Sequence, residues 1–168
     1  MQAFSIADGD TITDQNAPAN NVPGMLLSVR TDLGTSVRAW RAAPTVSTPD
    51  QCYFCHGYSL GTYAPFRYSV SGTSMPAVLA DEYQKIGGIG DAQNVGAGDI
   101  LVWWQGNDAS HSAVVRTPAY KAGGELDPAA SVIGSKNGTG PVWTGALLND
   151  ISSFYQTAPL LEVYRRHA

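Results

Sequence analysis

The chain has 168 residues, the length of one ordinary domain, with 43% apolar residues, only 14% charged and a formal net charge of −4. That acidic balance offers no basic face to nucleic acid, and no apolar run approaches the roughly 18 residues of a membrane helix. Two cysteines, Cys52 and Cys55, cannot supply a four-ligand zinc site, and His56, His111 and His167 show no metal-binding spacing, so no metal or cofactor is expected.

Residues 1–45 read as an irregular N-terminal arm. The opening MQAFSIADGDTITD lacks a basic n-region and an apolar h-region, so it does not read as a signal peptide. DGD, NAPANN and TDLG are turn signals, MLLSV (25–29) allows one short strand, and VRAWRA (37–42) is a further strand or a helical turn. Ser47, Thr48 or Asp50 can cap a helix that starts near Cys52, runs to about Tyr63 and stops before Pro65. Pro76 suits the first position of a second helix, PAVLADEYQKI, ended by Gly87–Gly88, with Val78, Leu79, Tyr83 and Ile86 on one face.

From there the pattern turns to strands. DILVWW (99–104) and HSAVVRT (111–117) flank the turn QGNDAS as a β-hairpin. SVIGSK (131–136) is a third strand and LLEVYRR (160–166) a fourth. Helices first and an antiparallel sheet after them make an α+β domain spanning 1–168, with its core over 46–168.

A thiol becomes nucleophilic when its pKa falls, and a helix N-terminus and a nearby imidazole both lower it. Cys55 lies at the expected helix start, and His111 opens a strand just after a hairpin turn, where its ring can face that helix end. A third polar group must orient the ring; Ser135 and Asn137 both point to one face of the next strand because strand side chains alternate.

In that order the segments CHGYSLG (55–61), GAGDILVWW (96–104), HSAVV (111–115) and SKNG (135–138) resemble the NlpC/P60 and CHAP superfamily of papain-like cysteine peptidases and amidases. The likeness covers roughly residues 50–166. It implies a papain-like fold with N-terminal helices packed on an antiparallel sheet. It also implies Cys55 as nucleophile, His111 as general base and acid, and Asn137 or Ser135 as the orienting residue. Most NlpC/P60 members follow the nucleophile with Ser-Gly, whereas here His56-Gly57 follow Cys55. Many CHAP members have Gln-Cys, which Gln51-Cys52 matches, so Cys52 is the alternative nucleophile, with Gln51 at the oxyanion site. CHAP members also tend to have an acidic third residue, where this chain has Ser135.

Each residue has a plainer reading beside this one. Cys55 can be a buried structural thiol, and Cys52 and Cys55 can form a disulfide or a redox pair. His111 can be an ordinary hairpin histidine, and Asn137 a turn residue before Gly138. Adjacent helix positions point apart, so His56 reads as a backbone or substrate contact. Trp103 and Trp104 face opposite ways on a strand, one into the core and one, Trp104, lining a substrate groove. Asp99 reads as fixing a turn, and His167 as exposed.

The resemblance implies a cysteine hydrolase of amide bonds, with the peptide part of peptidoglycan as substrate. A secreted antibacterial effector, delivered to the periplasm or cell wall without a visible signal peptide and paired with an immunity protein, fits this reading. The alternatives are a protease, deamidase or transferase acting on a protein, a non-catalytic binding module, or a cytoplasmic enzyme. Nucleic acid and membrane are not expected partners.

Overall fold

The structure is a computed structural model and describes residues 22–64, 67–158 and 160–168, with the backbone of two short strands at 4–6 and 14–16. It is mixed α+β, built on two antiparallel sheets with three short helices.

The first sheet is centred on a hairpin of β3 (Pro23–Thr31) and β4 (Ser36–Ala42). Strands β1 (Phe4–Ile6) and β2 (Asp14–Asn16) both pair with β3, and β5 (Tyr68–Val70) pairs with β4. Residues 23–42 are therefore an ordered hairpin and not an irregular arm. Leu27, Val29, Val37 and Ala39 all enter the core. The intervening Ser28, Arg30 and Arg38 dilute the apolar signal to strict alternation, which is how a half-buried strand is written. The rest of the proposed arm before residue 22 lies outside the described residues, apart from the two short strands.

The second sheet has the order β10-β9-β8-β7-β11-β6. Its strands are β6 (Tyr83–Gly88), β7 (Ile100–Gln105), β8 (Asp108–Thr117), β9 (Val132–Lys136), β10 (Val142–Leu147) and β11 (Leu160–Arg166). The β7–β8 hairpin, β9 and β11 fall where the sequence places strands. The sheet is covered on both faces: Ile100, Val102 and Trp104 join a core with the first sheet, while Leu101, Trp103, Ala113 and Ile133 join a second core on the far side. Burial on both faces explains the unbroken apolar run of β7.

Both expected helices are shorter than expected. The first, α1, is Cys55–Leu60, closed by Gly61 in the left-handed region at φ 75°. Cys52 lies outside it, in a separate 3₁₀ turn over Pro49–Cys52 that ends in extended Tyr53. Pro65, the expected stop, lies outside the described residues. The second, α2, is Met75–Glu82; the remainder of the expected helix becomes β6. Residues 83–88 gain a ladder with β11 there, and tertiary pairing overrides the local helical pattern. A third helix, α3 (Leu148–Ser152), runs into a 3₁₀ turn at Ser153–Tyr155. No helix of the described residues is long and apolar enough to cross a membrane.

Candidate active site

Cys55 is the first residue of α1, and the chain around it is held from three sides. The Phe54 backbone N–H donates to Ser69 Oγ on β5 at 2.7 Å, fixing the approach to the helix. Gly57 lets α1 lie against β5, since a Cβ there would stand 2.5 Å from Ser69 Oγ and 2.9 Å from the Tyr68 carbonyl. On the other side Tyr58 lies over Gly134 of β9, where a Cβ would meet its hydroxyl at 2.4 Å. Cys55 is half-buried as a residue, and the first N–H groups of the helix have no intrahelical partner.

His111 comes from β8 at an irregular point. Trp103 of β7 pairs with His111 and Trp104 with Ala109, so Ser110 is an extra residue and the strand bulges. The imidazole is buried, with only 1% of the residue exposed. Its Nε2 is 2.8 Å from Ser135 Oγ, and Tyr155 stacks on it at 4.0 Å between ring centroids and 10° between planes. Trp103 packs beside it at 5.2 Å. The His111 ring also lies near enough to Cys55 to lower its thiol, while the ring nitrogen within hydrogen-bond reach of the sulfur is His56 Nδ1, at 3.7 Å.

The two candidates for third residue separate here. Ser135 touches His111. Asn137 instead accepts a hydrogen bond from the Tyr155 hydroxyl at 3.0 Å, so it acts on the ring that covers the histidine and not on the histidine itself.

His56 makes more contacts than expected. Its Nε2 lies 2.9 Å from the Ala109 carbonyl, which only accepts, so this nitrogen carries a proton and donates. Its Nδ1 lies 2.7 Å from Ser112 Oγ, which in turn bonds Ser59 Oγ, and 3.7 Å from Cys55 Sγ. The expectation that residues 55 and 56 point apart fails because both contacts converge at the open first turn, above β8.

One thiol thus sits between two imidazoles. Burial alone would raise the Cys55 thiol; the charges of His56 and then His111, with the His56 Nδ1 contact at 3.7 Å, outweigh burial and hold it well below its ordinary value. Burial pulls His56 down, but the facing Cys55 sulfur, followed by the Ala109 carbonyl and Asp108, leaves it raised.

The other sequence candidates lie apart. Cys52 is buried with its thiol toward the Thr48 carbonyl at 3.5 Å and under the Arg67 guanidinium. It borders a separate cavity of about 560 Å³ shared with Val46, Tyr53 and Tyr63, with no histidine. Both cysteines are free thiols, not a disulfide. Gln51 is exposed; its backbone N–H donates to the Thr48 carbonyl at 3.0 Å, and its side-chain amide makes no hydrogen bond among the described residues. Trp104 turns to the face opposite His111 and lines a cavity of about 430 Å³ with Leu79, Tyr83 and Tyr164; Trp103 is the tryptophan on the site's side. Asp99 fixes a turn, accepting from Arg165 at 2.6 and 2.8 Å and from the Gly96 N–H at 2.8 Å. His167 is exposed near the end of the chain.

Sequence reading missed Tyr155, Ser69 and Ser112. Tyr155 sits in a segment without motif, and nothing local marks it. Ser112 was legible in principle: it follows His111, so it points to the other face, where α1 must find polar partners. Among the described residues no three His, Cys, Asp or Glu side chains gather as a metal-holding group. Comparison with protein-family models, with curated proteins and with solved structures finds no match.

Proposed function

We propose that this protein is a cysteine hydrolase of amide bonds. The observation that carries the reading is a half-buried cysteine at a helix start, its thiol lowered by two imidazoles, one of them held by a buried hydroxyl. Groups with pKa values shifted by specific charged neighbours cluster at functional sites. The Cys55 thiolate attacks the amide carbonyl. Backbone N–H groups at the start of α1 face the developing oxyanion, a donor of a kind that contributes about 3–4 kcal/mol. His111 takes up the proton that the thiol releases, passes it to the departing amine, and then draws a proton from the water that hydrolyses the thioester, returning it to the Cys55 sulfur as the acid leaves. Ser135 keeps the His111 ring in register, and His56 supplies a second positive charge beside the sulfur.

The motif order shared with papain-like amidases favours peptide bonds of peptidoglycan over bonds in a folded protein. Incubation with purified peptidoglycan, with mass spectrometry of the products, tests this. The wild type and Cys52→Ala should release the same fragments, while Cys55→Ala and His111→Ala should release none. Cleavage lost in Cys52→Ala alone would overturn the nucleophile. Products from a protein substrate and none from peptidoglycan would move the enzyme to the protease class. Lysis on periplasmic expression that depends on Cys55, and is relieved by a co-expressed neighbour protein, would establish an effector with its immunity partner.

A further inference from the structure

Beside Ser135 stands Lys136, which takes no part in the chemistry above. Its side chain is fully buried, at 0% exposure, a position an ammonium tolerates only with all its protons engaged. All three are: Nζ donates to the backbone carbonyls of Asp50 at 2.6 Å, Gly140 at 2.7 Å and Gly138 at 2.9 Å. It also lies 4.5 Å over the Tyr53 ring. None of its three acceptors is a carboxylate, so the site uses its geometry, three directed donors on a compact head, as well as its charge. Gly138 and Gly140 belong to the exit turn of β9 itself. Asp50 lies 86 residues away, in the 3₁₀ turn that delivers the chain to α1.

We propose that Lys136 is a positioning residue for Cys55, a buried cationic pin through which β9 sets both halves of the dyad. Neighbouring strand residues leave by opposite faces. Ser135 goes one way and aligns His111; Lys136 goes the other and fixes the turn three residues ahead of the nucleophile. The inference rests on the hydrolase reading for its purpose, but the pin itself is testable without any substrate. The charged and titratable groups that face Lys136 are Asp50, Cys52, Cys55 and Tyr53. Burial draws the ammonium down to about 8, against the attraction of Asp50, Cys55 and Cys52. Above that pH the neutral amine keeps two donors for three carbonyls, and the turn loosens.

The two cysteines report the two ends of this connection. Alkylation of the full chain by iodoacetamide, with each cysteine followed by mass spectrometry, gives the ratio of native to denatured rate at each pH. In the wild type Cys52 should be protected at neutral pH and lose protection with a midpoint near 8, with unchanged circular dichroism. Lys136→Met should expose Cys52 at neutral pH and slow Cys55 alkylation on the acid side by about 10- to 100-fold, the effect of a small misplacement of a reacting group. If Lys136→Met keeps both rates of the wild type, the pin is refuted while the hydrolase reading stands. If wild-type Cys55 shows no acid-side reactivity, the hydrolase reading fails, and Cys52 protection still judges the pin. Should Lys136→Met not fold, the wild-type pH series decides: protection of Cys52 that stays flat to about pH 10 overturns the proposal.

Discussion

Ser135→Ala removes one oxygen from a buried strand and leaves the volume nearly unchanged. What is lost is the 2.8 Å partner of His111 Nε2. With the histidine only 1% exposed, water does not replace that partner, and the freed nitrogen keeps an unmet hydrogen bond. Such a group costs about 1–3 kcal/mol. The Tyr155 stack at 4.0 Å still fixes the plane of the ring but is indifferent to a half-turn within it. Ser135 is therefore the contact that selects between the two orientations of the ring. Turnover should fall about 5- to 150-fold, the rate equivalent of that penalty. The acid midpoint of Cys55 alkylation should move little, because His56 is the larger of the two charges that lower the thiol. Asn137→Ala, which acts only through Tyr155, should cost less than Ser135→Ala. Equal turnover in Ser135→Ala and wild type would refute the orienting role. A midpoint shifted to that of a free thiol would refute the division of labour between the histidines.

His56→Gln should raise the Cys55 midpoint: the wild type reacts with iodoacetamide below neutral pH because the thiol is depressed, and the variant should need higher pH. Turnover should be bell-shaped, rising through the depressed thiol and falling as the raised His56 loses its proton. Gly57→Ala places a methyl 2.5 Å from Ser69 Oγ and 2.9 Å from the Tyr68 carbonyl, so thermal melting should show a loss of about 1–3 kcal/mol, with turnover reduced as α1 shifts. Glu82 has its carboxyl raised to about 7, chiefly by burial. A carboxyl raised above its unfolded value of about 4.5 contributes stability that is full below that value and lost as pH climbs through 7. Denaturant midpoints should decline over this window in the wild type and stay flatter in Glu82→Gln.

The parts of the fold legible in the sequence were those whose physics is local. β7 is a dense apolar run, and β8 and β11 are apolar-rich segments bounded by turn residues, whereas α1 ends at Gly61, two residues before the expected end at about Tyr63. The hairpin of 23–42 was hidden because only alternate residues are apolar and its partners lie in other segments. Residues 83–86 carry a helical face yet pair with a strand some eighty positions later, a contact that no local window contains. The same division runs through the site. Cys55, His111 and Ser135 follow from strand alternation and a helix start, and the structure brings them together. The part of Tyr155 depends on where the 3₁₀ turn after α3 lies, and the exchange of Trp103 for Trp104 depends on one bulged residue.

That extra residue, Ser110, separates the tip of its hairpin from its body. The ladder starts afresh at His111, so the exposed positions 105–107 can change length or composition while the imidazole keeps its aim. A change of one residue between 111 and 115 would instead carry Ser112 or Ala113 into the histidine's place. Divergence in this protein is thus free at the loop and frozen one step beyond it.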